Sequence, residues 1–119
     1  MWAEFKEHKN WIRITFGPFC TDEDFDLYIT KYREIYKQNR YAKVIVIFDI
    51  TQLQDIPPKC VLKQIFTMRE MQPIHKEQME RFFVVCKNPY ILNILELAFI
   101  ICPPVSPYEI VNAVEECFQ

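Results

Sequence analysis

Glycine is almost absent from this sequence, because Gly17 is the only one among 119 residues. Loops that cradle nucleotide phosphates need several closely spaced glycines, since only glycine lets the backbone approach the phosphate oxygens closely. The sequence therefore excludes a glycine-rich nucleotide-binding loop.

A long run of one charge sign is also missing. Lysine and arginine together number 14, aspartate and glutamate number 16, and the formal net charge is −2. Domains that bind nucleic acid usually concentrate basic residues on one face. We therefore expect no nucleic-acid partner.

Long hydrophobic runs are absent as well. The longest, residues 91–102, is interrupted by Asn93 and Glu96 and is too short to cross a bilayer. Near the N-terminus, charged residues such as Glu4 and Lys6 interrupt any signal-peptide core. These features predict a cytoplasmic protein without an integral membrane segment.

Cysteine is present, but its spacing does not indicate a structural site. The five cysteines are odd in number and widely separated: Cys20, Cys60, Cys86, Cys102 and Cys117. Disulfide frameworks usually have an even count, and zinc sites usually contain closely spaced pairs. We expect free, mostly buried thiols, with no metal and no cofactor.

The most informative feature is a pair of fully apolar strand segments. Residues 44–48 (VIVIF) and 82–86 (FFVVC) are hydrophobic at every position, and a helix signal follows each. Such strands are buried on both faces, which is typical of a parallel sheet covered by helices. The sequence predicts one α/β domain over residues 1–119, with a mixed, mostly parallel sheet built from strand–helix crossovers.

The flanking segments predict the remaining elements. Alternating patterns on either side of Lys9 and Asn10 predict an N-terminal β-hairpin. Thr21, followed by three acidic residues, predicts the start of the first helix. Towards the C-terminus we expect a short edge strand within residues 99–105 and a final helix that begins at Ser106.

This order of elements resembles the STAS domain of bacterial anti-sigma factor antagonists and of the cytoplasmic end of sulfate transporters. The resemblance covers residues 2–118. Its most family-like parts are residues 44–53, the helix after the segment Asp55-Ile56-Pro57-Pro58, and residues 82–95. It implies a non-enzymatic regulatory module that binds a protein partner.

The phosphorylation switch of that family is degenerate here. Family members that act as switches carry an Asp-Ser-Ser/Thr-Gly-like segment where the helix after the central strand begins, and a serine there is phosphorylated. By spacing, those positions correspond to Pro57, Pro58, Lys59 and Cys60. Because no serine, threonine or glycine is present, the resemblance implies a relative that has lost the switch.

The helix entrance remains a candidate partner-binding surface, since loops held by a rigid scaffold commonly carry binding. We call its residues the docking edge: Gln52, Gln54, Asp55, Pro57, Pro58, Lys59 and Lys63. The alternative is an ordinary solvated loop and helix face with no partner.

A small lipid or another apolar ligand is the alternative function. Apolar side chains cluster around Pro73: Phe66, Met68, Met71, Ile74 and Met79. Methionine adapts to irregular binding surfaces, although such clusters more often belong to a core. A homodimer through the edge near Pro103 and Pro104 is also compatible with the sequence.

Enzymatic chemistry has little support. Cys60 and His75 are the one imaginable nucleophile–base pair, but fifteen residues of helix would separate them by about 22 Å. Asp49 ends an apolar strand, where a carboxylate can bind a ligand, coordinate magnesium, serve as a base or cap the following turn. We favour the capping role, and we predict a protein that is not an enzyme.

Overall fold

The β-sheet follows the order of the chain. Its five strands are β1 (Ala3–Glu7), β2 (Trp11–Phe16), β3 (Val44–Asp49), β4 (Met79–Val85) and β5 (Tyr108–Val111). In this computed structural model, which describes residues 2–37 and 43–118, they lie in the order β1-β2-β3-β4-β5. β1 is antiparallel to β2, and every other neighbouring pair is parallel. The predicted mixed sheet and N-terminal hairpin are confirmed.

Four helices connect the strands. They are α1 (Asp22–Lys37), α2 (Pro58–Glu70), α3 (Gln72–Gln78) and α4 (Pro89–Ile101). α1 begins with a reciprocal cap, because the Thr21 Oγ1 accepts from the Asp24 N–H at 3.1 Å and the Asp24 carboxylate accepts from the Thr21 N–H at 2.9 Å. The Asn88 side chain caps α4 by accepting from the Tyr90 N–H at 2.9 Å.

All four helices contribute to the same large core, on one face of the sheet. That core includes Val46, Phe48 and Val84 from the strands, and residues from each of the helices. Right-handed crossovers that always step to the next strand return on the same side, which explains the arrangement. The other face holds a smaller cluster around Ile47 and Phe83, covered by a 3₁₀ turn, Val114–Phe118.

The C-terminal part of the sequence prediction is wrong in its boundaries. Residues 99–105 do not form a strand, because α4 continues to Ile101 and ends just before Pro103 and Pro104. The edge strand is β5, which begins four residues after Pro104 and pairs with β4. The expected final helix is only the 3₁₀ turn, whose start is held by the Glu116 carboxylate, which accepts from two backbone N–H groups.

Candidate functional site

The docking edge lies where β3 leads into α2. Gln52, Gln54 and Asp55 are exposed in the connecting loop, and Pro57 and Pro58 stand at the helix start. The structure thus brings these residues together. The loop is also tied to α4, since the exposed Tyr90 hydroxyl donates to the Asp55 carboxylate at 3.1 Å.

The two lysines of the docking edge are paired with α1. The Lys59 Nζ lies 2.7 Å from the Asp22 carboxylate, and the Lys63 Nζ lies 2.9 Å from that of Asp26. The hydrogen bond from Lys59 lowers the pKa of Asp22. Each positive charge therefore faces an acidic side chain of the same molecule, and the edge presents little net positive charge to a partner.

Asp49 has the structural surroundings of a capping residue. Its carboxylate accepts from the Arg13 Nη2 at 2.6 Å, from the Thr51 Oγ1 at 2.7 Å and from the Thr51 N–H at 3.2 Å. Burial alone would raise the pKa of Asp49, but the hydrogen bonds from Thr51 and Arg13 outweigh it and hold the pKa below its ordinary value. This carboxylate is an ionised partner of Arg13, which makes it a poor general base.

Cys60 and His75 have separate partners. The Cys60 thiol donates to the Asp22 carboxylate at 3.6 Å, and burial raises its pKa, so the thiolate is disfavoured. The His75 Nε2 lies 2.8 Å from the Tyr32 hydroxyl. Neither group activates the other, and the arrangement lacks an activated nucleophile at this position.

A cavity of about 140 Å³ lies between the helices and the sheet. Its walls are almost entirely apolar side chains from β3, β4, α2 and α4, among them Phe48, Val84, Ile65 and Leu95. The wall also includes Pro103 and Val105, which are exposed, so the cavity reaches the surface beside the end of α4.

A few polar side chains occupy one part of this wall: Tyr28, Tyr32, Gln64, Gln72 and His75. No aspartate, glutamate, lysine or arginine of the described residues contributes to it. Burial lowers the pKa of His75 to about 4, so this side chain is neutral at pH 7. The cavity is therefore apolar and uncharged, with a small polar region formed by α1, α2 and α3.

The sequence located only part of this cavity. Of the methionine-rich cluster, Met68 and Met79 line the wall and Met71 is buried, whereas Phe66 and Ile74 are exposed. Sequence patterns assigned the tyrosines of α1 and the apolar residues of α4 to the core. The α4 residues that line the cavity form the same kind of apolar stripe as a packed helix, so no signal in the sequence distinguished a cavity from a filled core.

Comparison with known proteins gives a structural match without a sequence match. No protein-family model matches the chain, and no curated protein matches it in sequence. A solved structure that matches is an uncharacterized protein of the DUF3478 family with a SpoIIAA-like fold, from Shewanella loihica PV-4. The two chains share 9% identity, with 98% of this chain and 89% of that chain aligned at a TM-score of 0.65.

This chain has a SpoIIAA-like fold. That fold is the one of STAS domains and anti-sigma factor antagonists, so the STAS resemblance is confirmed at the level of the fold. At 9% identity the match concerns the architecture alone. Within residues 2–37 and 43–118, no helix is both long and apolar enough to cross a membrane.

Proposed function

We propose that this SpoIIAA-like module is a non-enzymatic binding protein that takes up a small apolar molecule in the cavity beneath α4. The observation that carries the proposal is the apolar cavity of about 140 Å³ with an opening at Pro103 and Val105. An engineered apolar cavity of about 150 Å³ in another protein stays dry and binds benzene. The volume therefore suits a single aromatic ring or a similar group.

The cost of such a cavity supports the same conclusion. Side chains that line an unfilled apolar cavity have no packing partners on that side, and the net stability of a small domain is small enough for such losses to matter. A ligand that fills the cavity restores the lost packing contacts, so binding and stability should be linked.

Toluene is the probe that tests the cavity. We expect toluene to raise the melting temperature of the wild-type protein. Ala98→Leu, which fills the cavity wall from α4, should abolish that rise, whereas Asn93→Leu places the same side chain at an exposed position of α4 and should retain it. Differential scanning calorimetry with and without toluene measures both effects.

Leu95→Phe is a second filling variant, in case Ala98→Leu overpacks the site. No toluene response in the wild-type protein, or an equal response in all the variants, would refute the proposal. Native mass spectrometry of protein purified from cells provides an independent readout, because a carrier often retains extra mass that denaturation removes.

A protein partner at the docking edge is the second candidate function. The observation in its favour is that exposed apolar side chains accompany the edge: Leu62 and Phe66 lie one turn apart on α2, and Tyr90 on α4 contacts Asp55 through its hydroxyl. Aromatic side chains are enriched in the cores of protein interfaces. The SpoIIAA-like fold of the chain is compatible with such a role.

The pairing with α1 decides how the docking edge should be tested. Lys59→Glu/Lys63→Glu places like charges opposite Asp22 and Asp26, so we expect a loss of stability that is small, because these ion pairs are exposed and screened by solvent. Adding Asp22→Lys/Asp26→Lys restores both pairs with reversed polarity. An affinity pull-down from the native host compares the three proteins.

A partner that recognises the lysines should be captured by the wild-type protein and lost with both variants. A partner lost with the double variant but recovered with the fourfold variant depends on stability alone, and it would count against the docking edge. Equal capture by all three proteins would also show that the partner does not recognise the lysines.

A further inference from the structure

We infer that two copies of this chain join through β1, so that the sheet of one copy continues into the sheet of the other. β1 is an edge strand, because β2 is its one neighbour among the described strands. In the inferred dimer the two β1 strands run antiparallel, and the twofold axis passes through Phe5. This interface is separate from the cavity and does not depend on the proposed function.

The backbone of β1 directs hydrogen-bonding groups at the open edge. At the two ends of the hairpin, the Gly17 N–H donates to the Trp2 carbonyl and the His8 N–H donates to the Trp11 carbonyl, both at 2.8 Å. Residues that bond to the neighbouring strand alternate along an antiparallel pair, so the even-numbered residues of this run are the ones that bond to β2. The N–H and carbonyl of Phe5 therefore point away from β2, towards a strand that could be added there.

The two side chains beside Phe5 carry opposite charges. Phe5 contacts Tyr28 of α1, with ring centroids 6.1 Å apart, so Glu4 and Lys6 lie on the other face of the sheet. Both are exposed, and neither forms an ion pair with another residue in the part of the chain that the structure describes. These charges are therefore available to a second molecule.

Charge complementarity selects one register for the pair of β1 strands. The odd-numbered residues of both copies must lie opposite each other to bond, so the twofold axis passes through residue 4, 5 or 6. An axis at Glu4 sets two carboxylates opposite each other, and an axis at Lys6 sets two ammonium groups opposite each other, which destabilises a sheet. An axis at Phe5 sets Glu4 of each copy opposite Lys6 of the partner subunit, at positions where facing side chains come closest.

Apolar surface beside the edge supports the same interface. Leu27 on α1 is 56% exposed, one turn before Lys31, and the Lys31 Nζ lies 5.1 Å from the centroid of the Phe5 ring. Residues four apart share a helix face, so Leu27 lies on the side of α1 that is nearest to Phe5. On the helix side of the sheet, the two Phe5 rings thus meet across the axis next to exposed apolar surface.

The opposite edge of the sheet lacks this complementarity. β5 has four residues, and Glu109 is its one charged side chain. The Glu109 carboxylate already lies 3.8 Å from the Arg81 guanidinium of the same molecule. A second copy therefore finds no complementary pair of charges on β5.

Charge exchange on β1 tests the interface by analytical ultracentrifugation. We expect the wild-type protein to show a monomer–dimer equilibrium. Glu4→Lys and Lys6→Glu should each weaken it by at least roughly tenfold, because each turns two attractive pairs into repulsive ones. Glu4→Lys/Lys6→Glu restores both pairs with reversed polarity and should restore the dimer. An equimolar mixture of the two single variants should form a heterodimer, since only the mixed dimer sets opposite charges together at both pairs.

Glu109→Lys is the control, because it changes an exposed charge on the opposite edge, and it should leave the dissociation constant unchanged. A wild-type protein that stays monomeric at millimolar concentration would overturn the inference. Dimerisation that is weakened by Glu109→Lys but not by Glu4→Lys would also overturn it, since the interface would then lie at β5. If both single variants are monomeric and their mixture does not associate, the register through Phe5 is wrong. Circular dichroism checks that each variant is folded.

Discussion

Arg13→Met is expected to lower the free energy of unfolding by about 2 to 3 kcal/mol. The substitution leaves the Asp49 carboxylate, which is 5% exposed, without its cationic partner on β2. Breaking a fully buried pair costs about 3 to 5 kcal/mol, and the lower figure applies here because the Arg13 side chain is 33% exposed. Urea denaturation at pH 7 measures the change.

Two comparisons isolate the buried charge as the cause. Lys59→Met breaks the exposed pair with Asp22 and should cost much less stability than Arg13→Met. Arg13→Met/Asp49→Leu removes both charges, so its cost should be smaller than the sum of the two single substitutions. If Arg13→Met is no more costly than Lys59→Met, the pair does not contribute to stability as the geometry requires.

The same pair predicts how stability depends on acid pH. The pKa of Asp49 in the folded protein lies below its unfolded value of about 3.9, so its contribution is fully present above that value. The contribution is lost as the pH falls through the folded pKa. Without Arg13 the folded pKa of Asp49 rises, so this loss should begin at a higher pH in Arg13→Met.

Tyr28→Phe and Tyr32→Phe are expected to change stability in opposite directions. Tyr28→Phe removes a buried hydroxyl whose contact with the Gln64 side chain lies outside ordinary hydrogen-bond geometry, so it should raise the free energy of unfolding by about 1 kcal/mol. Tyr32→Phe deprives both His75 and Tyr36 of a partner and should lower it by about 2 kcal/mol. Both substitutions keep the ring and its packing.

Thermal unfolding of the ligand-free proteins distinguishes the two variants, because 1 kcal/mol shifts the melting temperature by about 4 °C in a domain of this size. A loss of stability in Tyr28→Phe would mean that its hydroxyl already has a partner in the folded protein.

The order and type of most elements follow from local sequence. Period-two alternation specifies the N-terminal hairpin, and continuous apolar runs specify the buried parts of β3 and β4, because a segment buried on both faces carries few polar side chains. Thr21 and Asn88 specify the starts of α1 and α4 through the backbone N–H groups that they cap. These signals act over a few residues, and a linear pattern contains them.

The C-terminal region shows where local signals fail. Residues 99–105 are apolar and contain two prolines, so the same pattern suits the end of a helix and a short edge strand. The choice depends on which segment lies beside β4. In the structure the Phe82 N–H donates a hydrogen bond to the Pro107 carbonyl at 2.9 Å. A non-local hydrogen bond of this kind has no counterpart in the sequence pattern.

By itself, the sequence determined the α/β class, the parallel central strands, the capped helices and the absence of a glycine-rich phosphate loop, since each depends on residue type and short-range spacing. Only the tertiary structure decided that all four helices share one face, that Lys59 and Lys63 pair with α1, and that an apolar cavity remains beneath α4. It also decided that, among the described residues, the Tyr28 hydroxyl has no hydrogen bond of ordinary geometry, whereas the Tyr32 hydroxyl has two partners. Identical residues at helical spacing look alike in sequence, and only the groups that face them across the core make them different.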